Sequence, residues 1–95
     1  MTVLIDPPHW PGPRGLMWSH LVSDHSLAEL HAFAGLLGVP VRAFDRDHYD
    51  VPETVHARAV ELGAQAVSSR ELLRRLVAAG LRHRKRRPRP TPDPS

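Results

Sequence analysis

The chain opens on Thr2-Val3-Leu4-Ile5-Asp6, a β-branched and apolar run ended by Pro7-Pro8. Proline lacks the N–H a ladder needs, so the run predicts a short buried strand with Asp6 at its carboxyl end. Residues 7–18 place His9, Trp10 and Trp18 among Pro11, Gly12, Pro13 and Gly15, which reads as a long, stiffened loop of the functional kind. Residues 19–25 fit a short second strand or irregular chain equally well. A helix follows: Ser23, Asp24 and Ser26 are each able to cap it, Ser26-Leu27-Ala28-Glu29 has capping-box spacing, and Leu27, Leu30, His31, Ala34 and Leu37 recur at helical intervals before Gly38.

Val39-Pro40-Val41-Arg42-Ala43-Phe44 predicts another strand, with Pro40 at its start where a missing donor is tolerated, and Asp45 to Asp50 then read as its loop. Pro52-Glu53 begins a second helix with Val55, Ala59 and Leu62 on one face and Gly63 at its end. Ala66-Val67 predicts a third, very short strand. Ser68-Ser69-Arg70-Glu71 is a second capping box, opening a helix whose Leu72, Leu73, Leu76 and Val77 face inward and which Gly80 closes. Strand and helix thus alternate three times. The expected fold is a small single α/β domain, with a three- or four-stranded, mainly parallel sheet and three helices over residues 1–82.

Composition limits this picture to one core, since 95 residues are too few for two. Only 5% of residues are aromatic, so Leu, Val and Ala must fill the interior. There is no Cys, which removes disulfides and thiolate zinc sites and leaves a reducing, cytoplasmic setting as the expectation. No stretch approaches the ~20 apolar residues of a spanning helix, and the first residues lack the basic start of a signal peptide. Charge is segregated. From Arg82 onward there are six basic residues (Arg82, Arg84, Lys85, Arg86, Arg87, Arg89) and one acid, a net of +5, against −2 for residues 1–81. Pro88, Pro90, Pro92 and Pro94 forbid helix there, so residues 83–95 are expected to form a disordered Arg/Pro-rich tail. Such a tail either supplies sequence-independent contacts to nucleic acid or keeps the chain soluble.

The densest chemistry is Asp45-Arg46-Asp47-His48-Tyr49-Asp50, three acids beside an imidazole, a phenol and a guanidinium. A connection needs none of these to turn. In a parallel sheet every strand-to-helix loop emerges at the carboxyl edge, where ligands bind. That edge would gather Asp6, His9, Trp10 and His20 from the first loop, Asp45 to Asp50 from the second, and Ser68, Ser69 and Arg70 from the third. The opposite loops, Gly38-Val39-Pro40 and Gly63-Ala64-Gln65, carry no charge. Helix capping accounts for Ser26, Ser68, Ser69 and Glu53 but not for His9, His20, His48 or Tyr49. Asp6, His20, His48 and Asp50 are the candidate catalytic groups. Asp6, His48 and Asp50 are candidate ligands for a hard or borderline divalent metal, because Asp and His are present without Cys. Ser68, Ser69 and Arg70 bring the ingredients of a phosphate site, and His9, Trp10 and Tyr49 are candidate ligand contacts. His31, on an apolar stripe, reads as a satisfied structural histidine, and Trp18 as core. Among established motifs, the Gly-rich phosphate loop, the Gly-x-Ser-x-Gly elbow and His-Glu-x-x-His are all missing.

The opening strand ending in Asp6, the stretch Trp18-Ser19-His20-Leu21-Val22-Ser23-Asp24, and above all His48-Tyr49-Asp50-Val51 resemble the bacterial and phage family called domain of unknown function 4031, over roughly Met1 to Arg82. The resemblance implies a small, self-standing bacterial domain with His-Tyr-Asp as its signature, and it names no substrate. Two functions compete. In one, the polar edge binds a phosphorylated small molecule or nucleotide, with metal-assisted hydrolysis of a phosphoester as its chemistry. In the other, the chain is a non-catalytic nucleic-acid- or protein-binding accessory module acting through its basic tail.

Overall fold

The computed structural model describes residues 2–82. Its elements run β1 (Val3–Ile5), β2 (Trp10–Pro11), β3 (Met17–Ser23), α1 (Leu27–Leu37), β4 (Phe44–Asp45), β5 (His48–Pro52), α2 (His56–Glu61), β6 (Gln65–Ala66) and α3 (Ser69–Ala78), with single 3-10 turns at Pro13–Gly15, Val41–Ala43 and Glu53–Val55. The three expected helices are present. Ser26 caps α1 and Ser68 caps α3, each hydroxyl accepting the backbone N–H three residues on, from Glu29 and Glu71. Gly38 ends α1 in the left-handed conformation, φ 75°, that a side chain would resist.

The sheet corrects the expectation. It is mixed, not mainly parallel, and has six strands in place of three or four, in the order β4-β5-β3-β1-β6 with β2 paired to the first residues of β3. β1 and β6 form the parallel pair, while β3 runs antiparallel to β1, β2 and β5. The reason lies in two segments. Residues 19–25 are ambiguous in sequence; the longest strand, Met17–Ser23, takes in the first five of them, and its two edges pair with β1 and β5. Residues 48–52, expected as loop, are a strand because their side chains alternate between two differently filled faces. Val39–Phe44, expected as a strand, is a 3-10 turn leading into the two residues of β4. Within the expected long loop, β2 pairs Trp10 with Trp18. Trp18 lies half-buried over Gly12, where an added Cβ would fall 2.6 Å from the indole, and its Nε1 donates to Pro13 O (3.2 Å).

The register sorts side chains into two layers. Val3, Ile5, Leu21, Tyr49 and Val51 share one face and pack with Leu30, Ala34 and Leu37 of α1 and Ala59 of α2. Tyr49 is buried there, and its hydroxyl bonds His31 Nδ1 at 2.6 Å. On the other face Leu4 and Val22 are covered by Leu72 and Leu76 of α3. Since α3 follows β6, at the β1 side of the sheet, it covers that side and leaves the rest of the face open. Asp24 fastens this second layer, accepting from Thr2 N–H (2.8 Å) and from the Arg75 guanidinium on α3.

Burial pulls the Asp24 carboxyl up, but the Thr2 N–H and Arg75 outweigh it and hold it below its ordinary 3.8. A carboxyl so depressed adds stability that is complete above its unfolded pKa and is lost as pH falls through its folded value. Asp24→Ala is expected to cost about 1–2 kcal/mol at pH 7. Thermal melts should then show the gap to wild type closing below pH 4, and a gap independent of pH would refute the assignment. Tyr49→Ala, which empties a core position, should cost roughly 3–5 kcal/mol in chemical denaturation, whereas Asp50→Ala next to it should cost under about 1 kcal/mol.

Candidate metal centre

Antiparallel pairing sets His20 opposite Asp50 and carries Asp6 to the position beside His20, one step past the Ile5–Leu21 pair. Residues abreast on neighbouring strands project from the same face, and His48, two before Asp50, joins them by the period of two. Asp6, His20, His48 and Asp50 therefore meet on the part of the sheet that α3 leaves open. His20, His48 and Asp50 arrive through antiparallel cross-strand register, and of the carboxyl edge expected from sequence only the parallel β1–β6 pair remains, which brings Ser69 to Asp6.

Asp6 is wholly buried and holds the cluster from behind. One carboxylate oxygen accepts the His20 backbone N–H (2.6 Å). The other bonds His20 Nδ1 (2.9 Å) and accepts from Ser69 Oγ (2.8 Å) at the start of α3 and, more distantly, from Trp10 Nε1 (3.4 Å). Burial alone would raise this carboxyl, but the hydrogen bonds from the His20 ring, the His20 backbone and Ser69 outweigh it and hold it below 3.8. The same bond lifts His20 above its usual 6.5 against the effect of burial, with Asp50 adding to the rise and Arg82 opposing it.

His48 is held in the same manner. Its Nδ1 bonds Asp47 Oδ1 at 2.7 Å, and Asp47, itself buried, is gripped by Arg82 through Nε (2.8 Å) and a longer second contact. Burial pulls Asp47 up, and Arg82 followed by His48 more than reverse it. With Nδ1 occupied, Nε2 is the nitrogen each histidine has left to offer. One donor atom from each of His20, His48 and Asp50 lies within 4.8 Å of the others, and His48 Nε2 is 3.3 Å from Asp50 Oδ1. The side chains are 31%, 13% and 50% exposed, so the cluster is framed from behind and open in front. Histidines held through Nδ1 by carboxylates, as His20 is by Asp6 and His48 by Asp47, have the support by which proteins orient imidazole ligands to a metal.

Beside this cluster runs a groove between α3 and the β4–β5 hairpin. Leu73, Val77 and Leu81 supply its apolar lining, Asp45 and Asp47 its acids, and Arg46, Arg70, Arg74 and Arg82 its cations, with His48 shared between groove and cluster. Arg74 is paired with Glu71, while Arg70 makes no ion pair among the described residues. Arg46, at the hairpin tip, adopts φ 59°.

Of the residues singled out from sequence, the structure brings together Asp6, Trp10, His20, His48, Asp50 and Ser69. Asp6 stands behind His20, one step removed from the three donors. Arg70 lies in the groove, and Ser68 is spent on capping α3. His9 is exposed and away from the cluster's bonds, its N–H donating to Pro7 O. Tyr49, placed among the ligand contacts, points into the opposite core. Of the basic tail residues only Arg82 is described, and Arg84, Lys85, Arg86, Arg87 and Arg89 lie outside the described residues. Sequence reasoning placed Asp47 and Arg46 in the dense 45–50 run without choosing either as a site residue, and it left out Arg74. For Asp47 a signal existed, its adjacency to His48, but the 35-residue separation from Arg82 hides the contact that fixes it.

Among the described residues no helix is long and apolar enough to cross a membrane. No curated protein and no solved structure matches the chain. A family model described as protein of unknown function (DUF4031) matches residues 3–79, a span that includes Asp6, His20 and the His48-Tyr49-Asp50 signature, and the chain belongs to that family.

Proposed function

We propose that His20, His48 and Asp50 bind a borderline divalent ion such as Zn2+ or Mn2+, and that the centre serves the hydrolysis of a phosphoester whose phosphate is received by the groove arginines. The observation that carries this reading is the double carboxylate–imidazole arrangement, Asp6 to His20 and Asp47 to His48, beside a grouping in which one donor atom each of His20, His48 and Asp50 lies within 4.8 Å of the others. Two imidazoles and a carboxylate suit a borderline ion better than Mg2+ or Ca2+, which prefer all-oxygen shells. Three protein ligands leave positions for water and for a phosphate oxygen, the requirement for Lewis-acid catalysis of hydrolysis. His20, His48 and Asp50 would hold the ion, which would supply Lewis-acid activation of water for hydrolysis; in that net reaction one water is consumed, the P–O ester bond breaks, the water's oxygen ends on phosphorus and one of its protons on the departing alcohol. Arg70, free of an acidic partner among the described residues, balances the phosphate charge.

Calorimetric titration of the full chain with Mn2+ and Zn2+ is expected to give one site, and saturation at a hundred times Kd should stabilise the fold by about 2.7 kcal/mol. His48→Ala should abolish the heat of binding and Asp47→Asn should weaken it by roughly 10–100-fold. Hydrolysis of bis(p-nitrophenyl) phosphate should require the ion and vanish in Asp50→Asn. Equal metal affinity in wild type and His48→Ala would refute the centre. Metal binding without hydrolysis of any phosphoester would reduce it to a binding site.

A further inference from the structure

The His20–His48–Asp50 cluster lies between two features whose extent exceeds what holding an ion requires. On one side is Trp10, 46% exposed, with its ring 5.3 Å from the His20 ring in an edge-on arrangement. His20 in turn stands 5.2 Å from His48, so the three rings form a row from Trp10 to the mouth of the groove. Tryptophan left in water beside a polar centre gains little from burial there, whereas an indole face offers stacking to any nucleobase. On the other side, Arg46, Arg70 and Arg74 extend along the groove beyond His48. Arg46, at the tip of the β4–β5 hairpin with φ 59°, carries its guanidinium to the groove's outer end.

Resting on the metal reading above, we propose that the phosphoester is the backbone of a single-stranded nucleic acid. One base stacks on Trp10, the adjoining phosphodiester lies over His20, His48 and Asp50, and the following phosphates run along Arg46, Arg70 and Arg74. A mononucleotide would leave the far arginines without a phosphate to meet. In a duplex the base is already stacked and paired, and reaching Trp10 would require it to be extruded. A flexible strand satisfies the stacking platform and the cationic track together.

The test is fluorescence anisotropy of the full chain with a labelled eight-nucleotide strand, as DNA and as RNA, with its duplex and with the mononucleotide as competitors, in Mn2+ and in EDTA. The single strand should bind ahead of both competitors. Trp10→Ala should weaken it by about tenfold and Trp10→Phe, which keeps a stacking face, should restore it. Arg70→Ala and Arg74→Ala should each lower the slope of log affinity against log salt by about 0.7. Affinity unchanged in Trp10→Ala would overturn the proposal and assign the binding to charge alone, as would preference for duplex or equal competition by the mononucleotide. Metal titration of the same samples separates the two readings. An ion bound normally with no strand bound overturns only this inference. A Trp10-dependent strand complex that persists in EDTA, with no ion bound in any sample, overturns the metal centre and leaves the strand site standing.

Discussion

A carboxylate taken out of water has to be repaid by hydrogen bonds, and Asp6 collects four of them from three separate segments. It receives the backbone and ring of His20 on β3, the Ser69 hydroxyl at the head of α3 and the Trp10 indole on β2, all while sitting at the end of β1. Each donor is therefore constrained to one place by the need to keep that charge satisfied, since a buried ion deprived of its partners costs several kcal/mol. The interaction joins the central strand to the helix of the second layer. It also fixes the imidazole whose other nitrogen faces solvent, so fold and site depend on the same atom pair.

The division of the molecule into a finished face and an unfinished one follows from the order of its elements. α1 and α2 cover one side of the sheet with the larger cluster, from Val3 to Ala64. α3, entering from β6 at the edge, has two well-buried leucines and covers only Leu4 and Val22. The remaining positions on that face would be a liability if apolar, because nothing packs on them. They are occupied instead by His20, His48 and Asp50, polar groups of which the two histidines are held from behind by Asp6 and Asp47 while Asp50 is half-exposed to water. Polar chemistry is what this sheet can afford to leave uncovered.

Much of this was legible in the chain. The capping boxes at Ser26 and Ser68 placed two helices, and the unexplained density of His and Asp near Asp6, His20 and Asp45 to Asp50 marked the groups that the fold brings together. What could not be read was direction. Parallel and antiparallel strands carry the same side chains, and Trp18 to Ser23 mixes apolar and polar residues in a way that does not say which neighbours it will join. The alternation in His48-Tyr49-Asp50-Val51 did hold a usable signal. Taken as a strand, its period of two sends His48 and Asp50 to one face and Tyr49 and Val51 to the other, which separates a chemical pair from a core pair within four residues. Long-range ion pairs such as Arg82 to Asp47 leave no local trace at all.

That last pair gives the boundary of the fold an unusual meaning. Arg82 is the last described residue, and it clasps the acid that aligns the His48 ring. Displacing that guanidinium would free Asp47 and with it the imidazole, a lever of two links reaching from residue 82 into the cluster.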